Sequence, residues 1–302
     1  MSKNILVTGS AGFIGFYLCK RLIENGYEVI GIDNINDYYD TKLKERRLEI
    51  LSQKSFKSKN WKFFKIDLTN KDLLLVVFKE YKPKTVINLA AQAGVRYSIE
   101  NPDIYNEYNV QGFYNILKLS QIFKIKHFIF ASSSSVYGDV NKFPTKESYN
   151  TNDPESFYAA TKKINEIMAR SFSSIYKLKC TGLRFFTVYG PYGRPDMSIY
   201  KFTKLISENK TINLNNNGKH FRDFTYIDDV IYFINKLITS NKIKDELFSV
   251  LNICGGDSQK LTKVVKLIEY NLNKKAKINY SSFQAGDVLK THGENKNILK
   301  FN

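Results

Sequence analysis

Cysteine and histidine are both scarce in this sequence, which carries three of each among its 302 residues. Cys19, Cys180 and Cys254 lie far apart and form no Cys-x-x-Cys pair. A disulfide framework needs paired cysteines, and a zinc site needs cysteine and histidine ligands at short spacings. The sequence therefore predicts neither kind of site. We expect three reduced, buried thiols and no metal centre.

Long apolar runs are also missing. A membrane-spanning helix needs about 18 or more consecutive apolar residues, and no stretch of this sequence approaches that length. The first predicted strand begins at Asn4, which leaves no room for a signal peptide before it. We therefore expect no membrane partner and a cytoplasmic location.

Acidic residues are few relative to basic ones. The chain has 29 aspartates and glutamates against 46 lysines and arginines, a formal net charge of +17. Such a balance is compatible with nucleic-acid binding, or with a lysine-rich surface around a site for an anionic ligand. The lysines are spread along the whole chain, and no basic helix, zinc-finger spacing or aromatic RNA-binding motif accompanies them. We therefore expect an anionic small-molecule ligand and no nucleic-acid partner.

What the sequence does have is an alternation of predicted strands and helices, which begins with an apolar strand at residues 4–8. The loop Gly9-Ser10-Ala11-Gly12-Phe13-Ile14-Gly15 follows, and then a helix. Glycines at this spacing let backbone N–H groups and the helix N-terminus approach a pyrophosphate. A second strand, at 28–32, ends at Asp33, whose carboxylate can accept from a ribose 2′-hydroxyl and would repel a 2′-phosphate. This combination predicts a unit that binds NAD through Gly9, Gly12, Phe13, Ile14, Gly15 and Asp33.

Three more strands, predicted at 61–66, 85–89 and 128–131, continue the alternation. Asp67 and Leu68 follow the first of these, where the Asp67 carboxylate can bind an adenine; a helix N-cap is the alternative for Asp67. The small residues of Leu89-Ala90-Ala91 follow the second and let a cofactor lie close to the sheet edge. Asn109, on the next predicted helix, either belongs to the cofactor site or bridges the helix to a strand.

The strand at 128–131 leads into a run of four serines, Ser132 to Ser135, and Tyr158 and Lys162 follow on a predicted helix. Ligands bind at the carboxyl ends of the strands in an open α/β sheet. A Tyr and a Lys four residues apart lie on one face of a helix, although this spacing also fits two solvated residues. An ammonium ion beside a phenol favours the phenolate. We therefore predict that Lys162 lowers the pKa of Tyr158, which then acts as a base near neutral pH.

Together these residues resemble the extended short-chain dehydrogenase/reductases, and among them the nucleotide-sugar epimerases, especially the UDP-glucuronate 4-epimerases. The segments that carry the resemblance are Thr8-Gly9-x-x-Gly12-x-x-Gly15, residues 33–40, 67–68 and 89–98, the serine run, Tyr158-x-x-x-Lys162 and residues 182–197. The resemblance runs from residue 3 to about 291. After that point the family continues Tyr-Ala-Asp, where His292-Gly293-Glu294 stand here.

The resemblance implies an NAD-dependent isomerase that inverts C4 of UDP-glucuronate through a 4-keto intermediate, giving UDP-galacturonate. Tyr158 would remove the C4 hydroxyl proton, Lys162 would hold the nicotinamide ribose, and Ser133 would hydrogen-bond the C4 oxygen. Related 4,6-dehydratases are similar but carry Thr-Asp-Glu in place of Ser133-Ser134-Ser135, and related decarboxylases carry a Glu near Ser135. Hydroxyls cannot do the acid/base work of a carboxylate, which favours epimerisation.

The resemblance also assigns further residues to the two ligands. Asn34, Asn36, Phe185 and Val188 join the cofactor-binding set, and the substrate-binding set is Ser133, Ser134, Ser135, Arg96, Thr187, Arg194, Arg222, Gln284 and Asp287. Arg194 is assigned to the sugar carboxylate, which a guanidinium can bind through two parallel hydrogen bonds; a loop ion pair with Asp196 is the alternative. Arg222 is assigned to the UDP phosphates, with a surface pair to Asp223 or Asp228 as the alternative.

The implied fold class is α/β, a Rossmann-type doubly wound parallel sheet with a smaller C-terminal α/β substrate domain. The cofactor domain would comprise 1–190 and about 221–250, and the UDP-sugar domain about 191–220 and 251–302. The family commonly forms homodimers through two helices, here about 103–123 and 154–176. Apolar side chains that fit this interface, but that core burial explains equally well, are Ile164, Ile167, Met168 and Phe172. The implied role is polysaccharide biosynthesis.

Two other functions stay open at this point. One is a 4-epimerase for UDP-glucose/galactose or UDP-N-acetylhexosamine, against which Arg194 argues. The other is a non-catalytic nucleotide-sugar-binding protein.

Overall fold

The computed structural model of the chain describes residues 4–239, 246–284 and 286–300. In chain order its elements are β1 (Asn4–Thr8), α1 (Phe13–Glu24), β2 (Glu28–Asp33), α2 (Thr41–Lys54), β3 (Trp61–Lys65), α3 (Lys71–Tyr81), β4 (Thr85–Asn88), α4 (Tyr97–Glu100), α5 (Pro102–Tyr105), α6 (Phe113–Ile122), β5 (His127–Ser133), α7 (Phe157–Tyr176), β6 (Cys180–Phe185), β7 (Thr187–Tyr189), α8 (Ser198–Ser207), β8 (Thr211–Leu214), β9 (Phe221–Tyr226), α9 (Ile227–Thr239), β10 (Phe248–Ile253), β11 (Ser258–Lys260), α10 (Leu261–Leu272), β12 (Lys277–Tyr280) and α11 (Lys296–Leu299). A π-helical turn at Asn106–Gly112 precedes α6, and 3₁₀ turns occupy Ser134–Tyr137 and Asn215–Gly218. Residues 1–3, 240–245, 285 and 301–302 of the two predicted domains lie outside the described residues.

Within the described ranges, the central sheet has seven parallel strands in the order β10-β6-β5-β4-β1-β2-β3. The connections run in opposite directions on the two sides of β1, and such a reversal opens a crevice at the carboxyl edge of a sheet. The strand register sets Thr8 of β1 beside Ile32 of β2 and Asn88 of β4. The segments that follow these three strands therefore meet at one place. The predicted fold class is confirmed.

Apolar side chains cover both faces of this sheet. Neighbouring residues of a strand point to opposite faces. Ile5 and Val7 accordingly pack with residues of α1 and α9 on one face, whereas Leu6 and Phe128 pack with residues of α3, α6 and α7 on the other. A strand buried on both faces reads as a continuous apolar run, and this is the reason that β1 was recognisable in the sequence.

The elements after β7 include a smaller unit. Helices α8 and α10 and strands β8 and β12 enclose a separate apolar cluster, whose members are Phe202, Ile206, Ile212, Leu214 and Val265. Strand β9 pairs with β7 and β11 in a three-stranded sheet, and α9 then packs against the core of the large sheet. Strand β10 ends at Ile253, beyond the predicted boundary near 250, and Ile298 of α11 packs in the core of the large sheet. The division into two domains stays a proposal, and these contacts change the boundaries it needs.

Two further observations concern the helices and the cysteines. Across residues 4–239, 246–284 and 286–300, no helix combines the length and the apolar character that crossing a membrane requires. Cys19, Cys180 and Cys254 are free thiols, and all three are buried. Burial raises the pKa of each of these thiols, so they stay protonated at neutral pH.

Candidate active site

A cavity of 710 Å³ opens at the carboxyl edge of the sheet and extends to the smaller C-terminal unit. All but two of the residues predicted to bind cofactor or substrate line this cavity. They are Gly9, Gly12, Phe13, Ile14, Gly15, Asp33, Asn34, Asn36, Asp67, Leu68, Leu89, Ala90, Ala91, Arg96, Ser133, Ser134, Ser135, Tyr158, Lys162, Phe185, Thr187, Val188, Arg194, Arg222 and Asp287. The two exceptions are Asn109 and Gln284. The fold thus brings residues from both ends of the chain to one site.

The glycine loop forms one wall of the cavity and lies against the backbone of Ala90. Gly9 has a φ of 69°, and a Cβ there would lie 2.7 Å from the Ala90 nitrogen. A Cβ on Gly15 would lie 2.0 Å from the Gly9 carbonyl oxygen. Helix α1 begins at Phe13, directly after Gly12 and within the predicted glycine loop, so its free N–H groups face the cavity. This cradle has the shape and the donors that the pyrophosphate of a dinucleotide requires.

Asp33 and Asp67 supply carboxylates beside the cradle. Asp33 is 8% exposed, and its two oxygens accept from the Ala11 and Ile35 N–H groups at 3.0 and 2.9 Å. Each carboxylate oxygen retains a lone pair for a further donor such as a ribose hydroxyl. Asp67 accepts from the Asn34 amide at 2.7 Å. The N-cap of α3 is Asn70, so the N-cap alternative for Asp67 is wrong.

Ser133, Tyr158 and Lys162 meet at the end of β5. The register of β5 and β6 sets Ser133 beside Phe185, and the Ser133 hydroxyl oxygen accepts from the Ser135 N–H at 3.2 Å. Tyr158 and Lys162 lie in the first turns of α7. The Lys162 ammonium donates to the Ala131 carbonyl at 3.0 Å, and it lies 5.9 Å from the centroid of the Tyr158 ring.

Burial dominates the electrostatics of this pair. It raises the pKa of the Tyr158 phenol, against the opposing effects of the Ser133 hydroxyl contact and the Arg194 charge. It also lowers the pKa of Lys162 to about 8. The prediction that Lys162 lowers the pKa of Tyr158 is therefore wrong for the protein without a bound cofactor. The desolvation of the phenol outweighs its favourable contacts, and the ammonium donates to a backbone carbonyl instead of the phenol oxygen.

Asn109 and Gln284 do not line the cavity. Asn109 accepts from the Gln92 N–H at 2.7 Å, and its amide donates to the Gln92 carbonyl and the Thr161 hydroxyl at 3.0 and 3.1 Å. These protein partners occupy the Asn109 amide, so its assignment to the cofactor is corrected to the bridging alternative. The Gln284 carbonyl accepts from the Asp287 N–H at 3.2 Å, which makes Gln284 part of the turn that presents Asp287.

Arg96, Arg222 and Asp287 lie together at the end of the cavity that faces the smaller unit. Arg96 donates to Asp287 at 2.8 Å. Arg222 donates to two backbone carbonyls and, among the described residues, forms no ion pair with Asp223 or Asp228. Asp223 is instead buried and accepts from three backbone N–H groups. The surface-pair alternative for Arg222 is therefore wrong.

Arg194 lines the same cavity as Tyr158. Its Nε donates to Asp196 at 3.1 Å, and its Nη2 donates to the other oxygen of the same carboxylate. The loop ion pair expected as an alternative therefore exists. The Arg194 side chain nevertheless lines the cavity, so the pair with Asp196 and a ligand-binding role are compatible.

The polar residues of the cavity wall that sequence reasoning missed include Tyr38, Asn215 and His220. Tyr38 lies in a segment that carries the family resemblance, but its type gives no hint of its partner, Asp196. His220 is buried, with Nε2 4.0 Å from Asp287. Its position two residues before Arg222 in an extended segment places both on one face, and this spacing was a usable signal. Asn215 lies in an asparagine-rich turn that offers no such signal.

The parallel sheet, the glycine cradle and the Tyr158/Lys162 pair beside a serine together define a short-chain dehydrogenase/reductase of the extended kind. A comparison with protein families agrees, because the NAD dependent epimerase/dehydratase family matches residues 5–254. The chain belongs to that family.

Individual relatives share most of their length with this chain. Protein CapI of Staphylococcus aureus is 46% identical over 311 residues, which cover 98% of this chain and 92% of the relative. A UDP-glucuronate 4-epimerase of Thermodesulfobacterium geofontis is 42% identical over 287 residues, 95% of this chain and 86% of the relative. The crystal structure of UDP-glucuronic acid 4-epimerase from Bacillus cereus in complex with UDP-glucuronic acid and NAD has a TM-score of 0.91 at 30% identity, covering 99% and 92% of the two chains.

Proposed function

We propose that this protein is an NAD-dependent UDP-glucuronate 4-epimerase, which interconverts UDP-glucuronate and UDP-galacturonate. The observation that carries the proposal is the place of Arg194, which lines the same cavity as Tyr158. In a glucuronate sugar, C5 alone separates the reacting C4 from the carboxylate carbon. A site that holds C4 at Tyr158 therefore holds the carboxylate within reach of a cation near Tyr158.

The residues present fit NAD. The glycine cradle would hold the pyrophosphate, Asp33 the adenosine ribose, Asp67 with Asn34 the adenine, and Lys162 the nicotinamide ribose. The remaining contacts would come from Phe13, Ile14, Asn36, Leu68, Leu89, Ala90, Ala91, Phe185 and Val188. Bound NAD⁺ would supply a reversible hydride acceptor, and Tyr158 would be held as the phenolate more readily beside its positive charge.

Tyr158 and Ser133 handle the proton and the C4 oxygen. The Tyr158 phenolate takes the proton of the C4 hydroxyl as a ketone forms at C4, and it returns this proton when the ketone is reduced from the other face. Ser133, whose hydroxyl contacts the phenol, hydrogen-bonds the C4 oxygen throughout. The Ser133, Ser134 and Ser135 hydroxyls offer no carboxylate for an elimination, so the ketone is only reduced.

The substrate would be held at both ends. At the sugar end, Arg194, Thr187 and Ser135 would bind the carboxylate, where a guanidinium can form two charge-assisted hydrogen bonds. At the nucleotide end, Arg96 and Arg222 would neutralise the diphosphate. Asp287 would accept from hydroxyl groups of the nucleotide half.

We further propose a homodimer built through α6 and α7, which pack side by side. These helices leave apolar side chains exposed, namely Tyr114, Ile122, Phe157, Ile167, Ile175 and Tyr176. Ile167 is 57% exposed, in agreement with an interface, whereas Met168 and Phe172 pack against the core of the sheet. The core-burial alternative therefore holds for those two residues, and Ile167 supports the interface.

The proposed division into domains assigns 1–190, about 221–253 and 296–299 to the cofactor domain, and the rest to the UDP-sugar domain. Unpaired buried cysteines fit a reducing compartment such as the cytoplasm. Supply of uronic acid units for polysaccharide biosynthesis is the cellular role that we propose for the product.

Substrate preference tests the proposed function. Initial rates with UDP-glucuronate and UDP-glucose should favour UDP-glucuronate, and Arg194→Met should lower kcat/KM for UDP-glucuronate about 100-fold while changing that for UDP-glucose only a few-fold. Tyr158→Phe should abolish turnover of both. Equal use of the two sugars by the wild-type protein would favour a UDP-glucose/galactose 4-epimerase instead.

A further inference from the structure

Asp196 occupies only one edge of the Arg194 guanidinium. The Nε and Nη2 atoms donate to the two oxygens of the Asp196 carboxylate, which is a side-on arrangement. A guanidinium carries five N–H donors, and no residue in the described ranges accepts from Nη1. The Nη1/Nη2 edge of Arg194 is therefore free to bind a second carboxylate in the end-on arrangement.

Asp196 is itself held in place. The Tyr38 hydroxyl donates to Asp196 Oδ2 at 3.3 Å. Burial, together with the Asp196 charge, raises the pKa of Tyr38 to about 12, so Tyr38 remains a donor at neutral pH. The Tyr38 ring packs on Tyr97 at 5.2 Å between centroids, and a Cβ added to Gly94 would lie 2.5 Å from the Tyr38 oxygen. The phenol therefore has little room to move away from Asp196.

The backbone that carries Arg194 and Asp196 is also fixed. The Met197 N–H donates to the Arg194 carbonyl at 3.2 Å. Arg47 is fully buried, and its guanidinium donates to the Tyr192 carbonyl at 2.6 Å and to the Ala11 carbonyl at 2.8 Å. Arg47 thus joins the loop that carries Arg194 to the glycine loop. The Arg194 and Asp196 side chains remain 25% and 33% exposed, which leaves them open to a ligand.

We propose that Asp196 is the positioning residue for the substrate carboxylate. It fixes the side edge of Arg194 so that the Nη1/Nη2 edge faces the sugar, and Tyr38 holds Asp196 in that position. This inference rests on the proposed function, because it requires a substrate that has a carboxylate at C6. A guanidinium fixed in advance binds a carboxylate with less loss of side-chain freedom. Asp196 also balances the Arg194 charge, so a neutral sugar gains little binding free energy from this site.

The test compares the affinity for UDP-glucuronate with the affinity for UDP, which lacks the sugar and its carboxylate. Titration calorimetry is done in a Tyr158→Phe background, which blocks turnover. Asp196→Asn should lower the affinity for UDP-glucuronate about 10-fold or more and the affinity for UDP less than about twofold. The reason is that the asparagine NH₂ group cannot accept a hydrogen bond from Nη2 of Arg194. With Tyr158 intact, the same change should raise KM for UDP-glucuronate and leave kcat nearly constant. A purely structural role would move both affinities together.

Two further variants complete the test. Glu208→Gln is the matched control, because it breaks the Lys210–Glu208 ion pair, whose residues are two apart like Arg194 and Asp196. This pair lies at the exposed C-terminal end of α8. The control should change neither affinity. Tyr38→Phe should also lower the affinity for UDP-glucuronate, but by less than Asp196→Asn. If Asp196→Asn does not fold, Tyr38→Phe replaces it in the test.

Two results would overturn the role of Asp196. Tighter binding of UDP-glucuronate to Asp196→Asn would make Asp196 a competitor of the substrate, and unchanged binding would make it a bystander. A different result would overturn the proposed function itself: the Tyr158→Phe protein would bind UDP-glucuronate no better than UDP-glucose, whatever residue stands at 196.

Discussion

Of the two groups proposed for the chemistry, Lys162 is buried and Tyr158 is half-buried, and the loss of hydration moves their pKa values in opposite directions. The pKa of Tyr158 rises and that of Lys162 falls to about 8. In both cases the charged form is the one that loses hydration. The cavity therefore keeps an ammonium ion at neutral pH at a cost in folding free energy, and this cost has a measurable consequence.

Lys162→Met should stabilise the protein while it abolishes activity. The ordinary lysine pKa of 10.5 falls to about 8 in the folded chain, which corresponds to about 3 kcal/mol of destabilisation at pH 7. The unfolded chain binds this proton more tightly, so the stability of the wild-type protein relative to the variant rises between about pH 8 and 10.5. Urea unfolding of both proteins at pH 7 and pH 9.5 measures the stabilisation and its dependence on pH.

The neighbouring lysine supplies the control for that prediction. Lys163 is only half-buried on the same helix and donates to the Thr151 hydroxyl, so Lys163→Met should not stabilise the protein. A Lys162→Met protein less stable than the wild type at pH 7 would contradict the account, because it would show that the ammonium is held favourably.

At the scale of elements, a buried ion pair joins β6, the neighbour of the serine strand β5, to the helix that carries Tyr158. Arg184 of β6 donates through Nε and Nη2 to Glu166 of α7, both at 2.8 Å, and both side chains are at most 5% exposed. Glu166 also accepts from Ser132 at 2.6 Å. The helix, the serine strand and β6 are thereby fixed together directly behind the reacting groups.

Glu166→Gln should destabilise the protein by about 3 kcal/mol, because breaking a buried pair leaves the Arg184 charge without its counterion. The shift in the urea unfolding midpoint measures this. Glu49→Gln is the matched control, since it breaks an ion pair with Arg46 in which both side chains are 53% exposed. That change should cost less than about 1 kcal/mol. Equal costs at the two sites would contradict the importance of the buried pair.

The first β-α-β unit could be predicted from the sequence because its determinants are local. An apolar strand, three glycines and Asp33 lie within 30 consecutive residues, and each imposes its own geometry. The Glu166–Arg184 pair and the Tyr38–Asp196 contact could not be predicted. Their partners come from separate elements, and nothing in the residue types says which carboxylate a given arginine or tyrosine will meet.

The pKa of Tyr158 was predicted wrongly for a related reason. The Tyr-x-x-x-Lys spacing places two side chains on one helix face, but it does not reveal how deeply the phenol is buried or that Ala131 accepts from Lys162. The assignment of Asn109 to the cofactor site was wrong for the same reason, because its partner Thr161 lies on another helix. Spacing predicts neighbours within one element, whereas burial and distant partners depend on the assembled fold.

At the scale of the whole molecule, the proposed dimer places an apolar helix face against its copy. The purified protein should have about twice the 35.0 kDa mass of one chain by light scattering. Ile167→Lys should shift it to a monomer, because a charge would be buried at the interface. Leu267→Lys on α10 is the matched control, with a side chain of nearly equal exposure, 54% against 57%, and it should leave the mass unchanged. A wild-type monomer would contradict the proposal.

The central claim is that this chain inverts C4 of UDP-glucuronate by removing a hydrogen from C4 and returning the same hydrogen. The most direct test incubates the purified protein, without added NAD, with UDP-glucuronate that carries deuterium at C4. We expect UDP-galacturonate with the deuterium retained at C4. Product that carries protium at C4, or no product even after NAD is supplied, would contradict it.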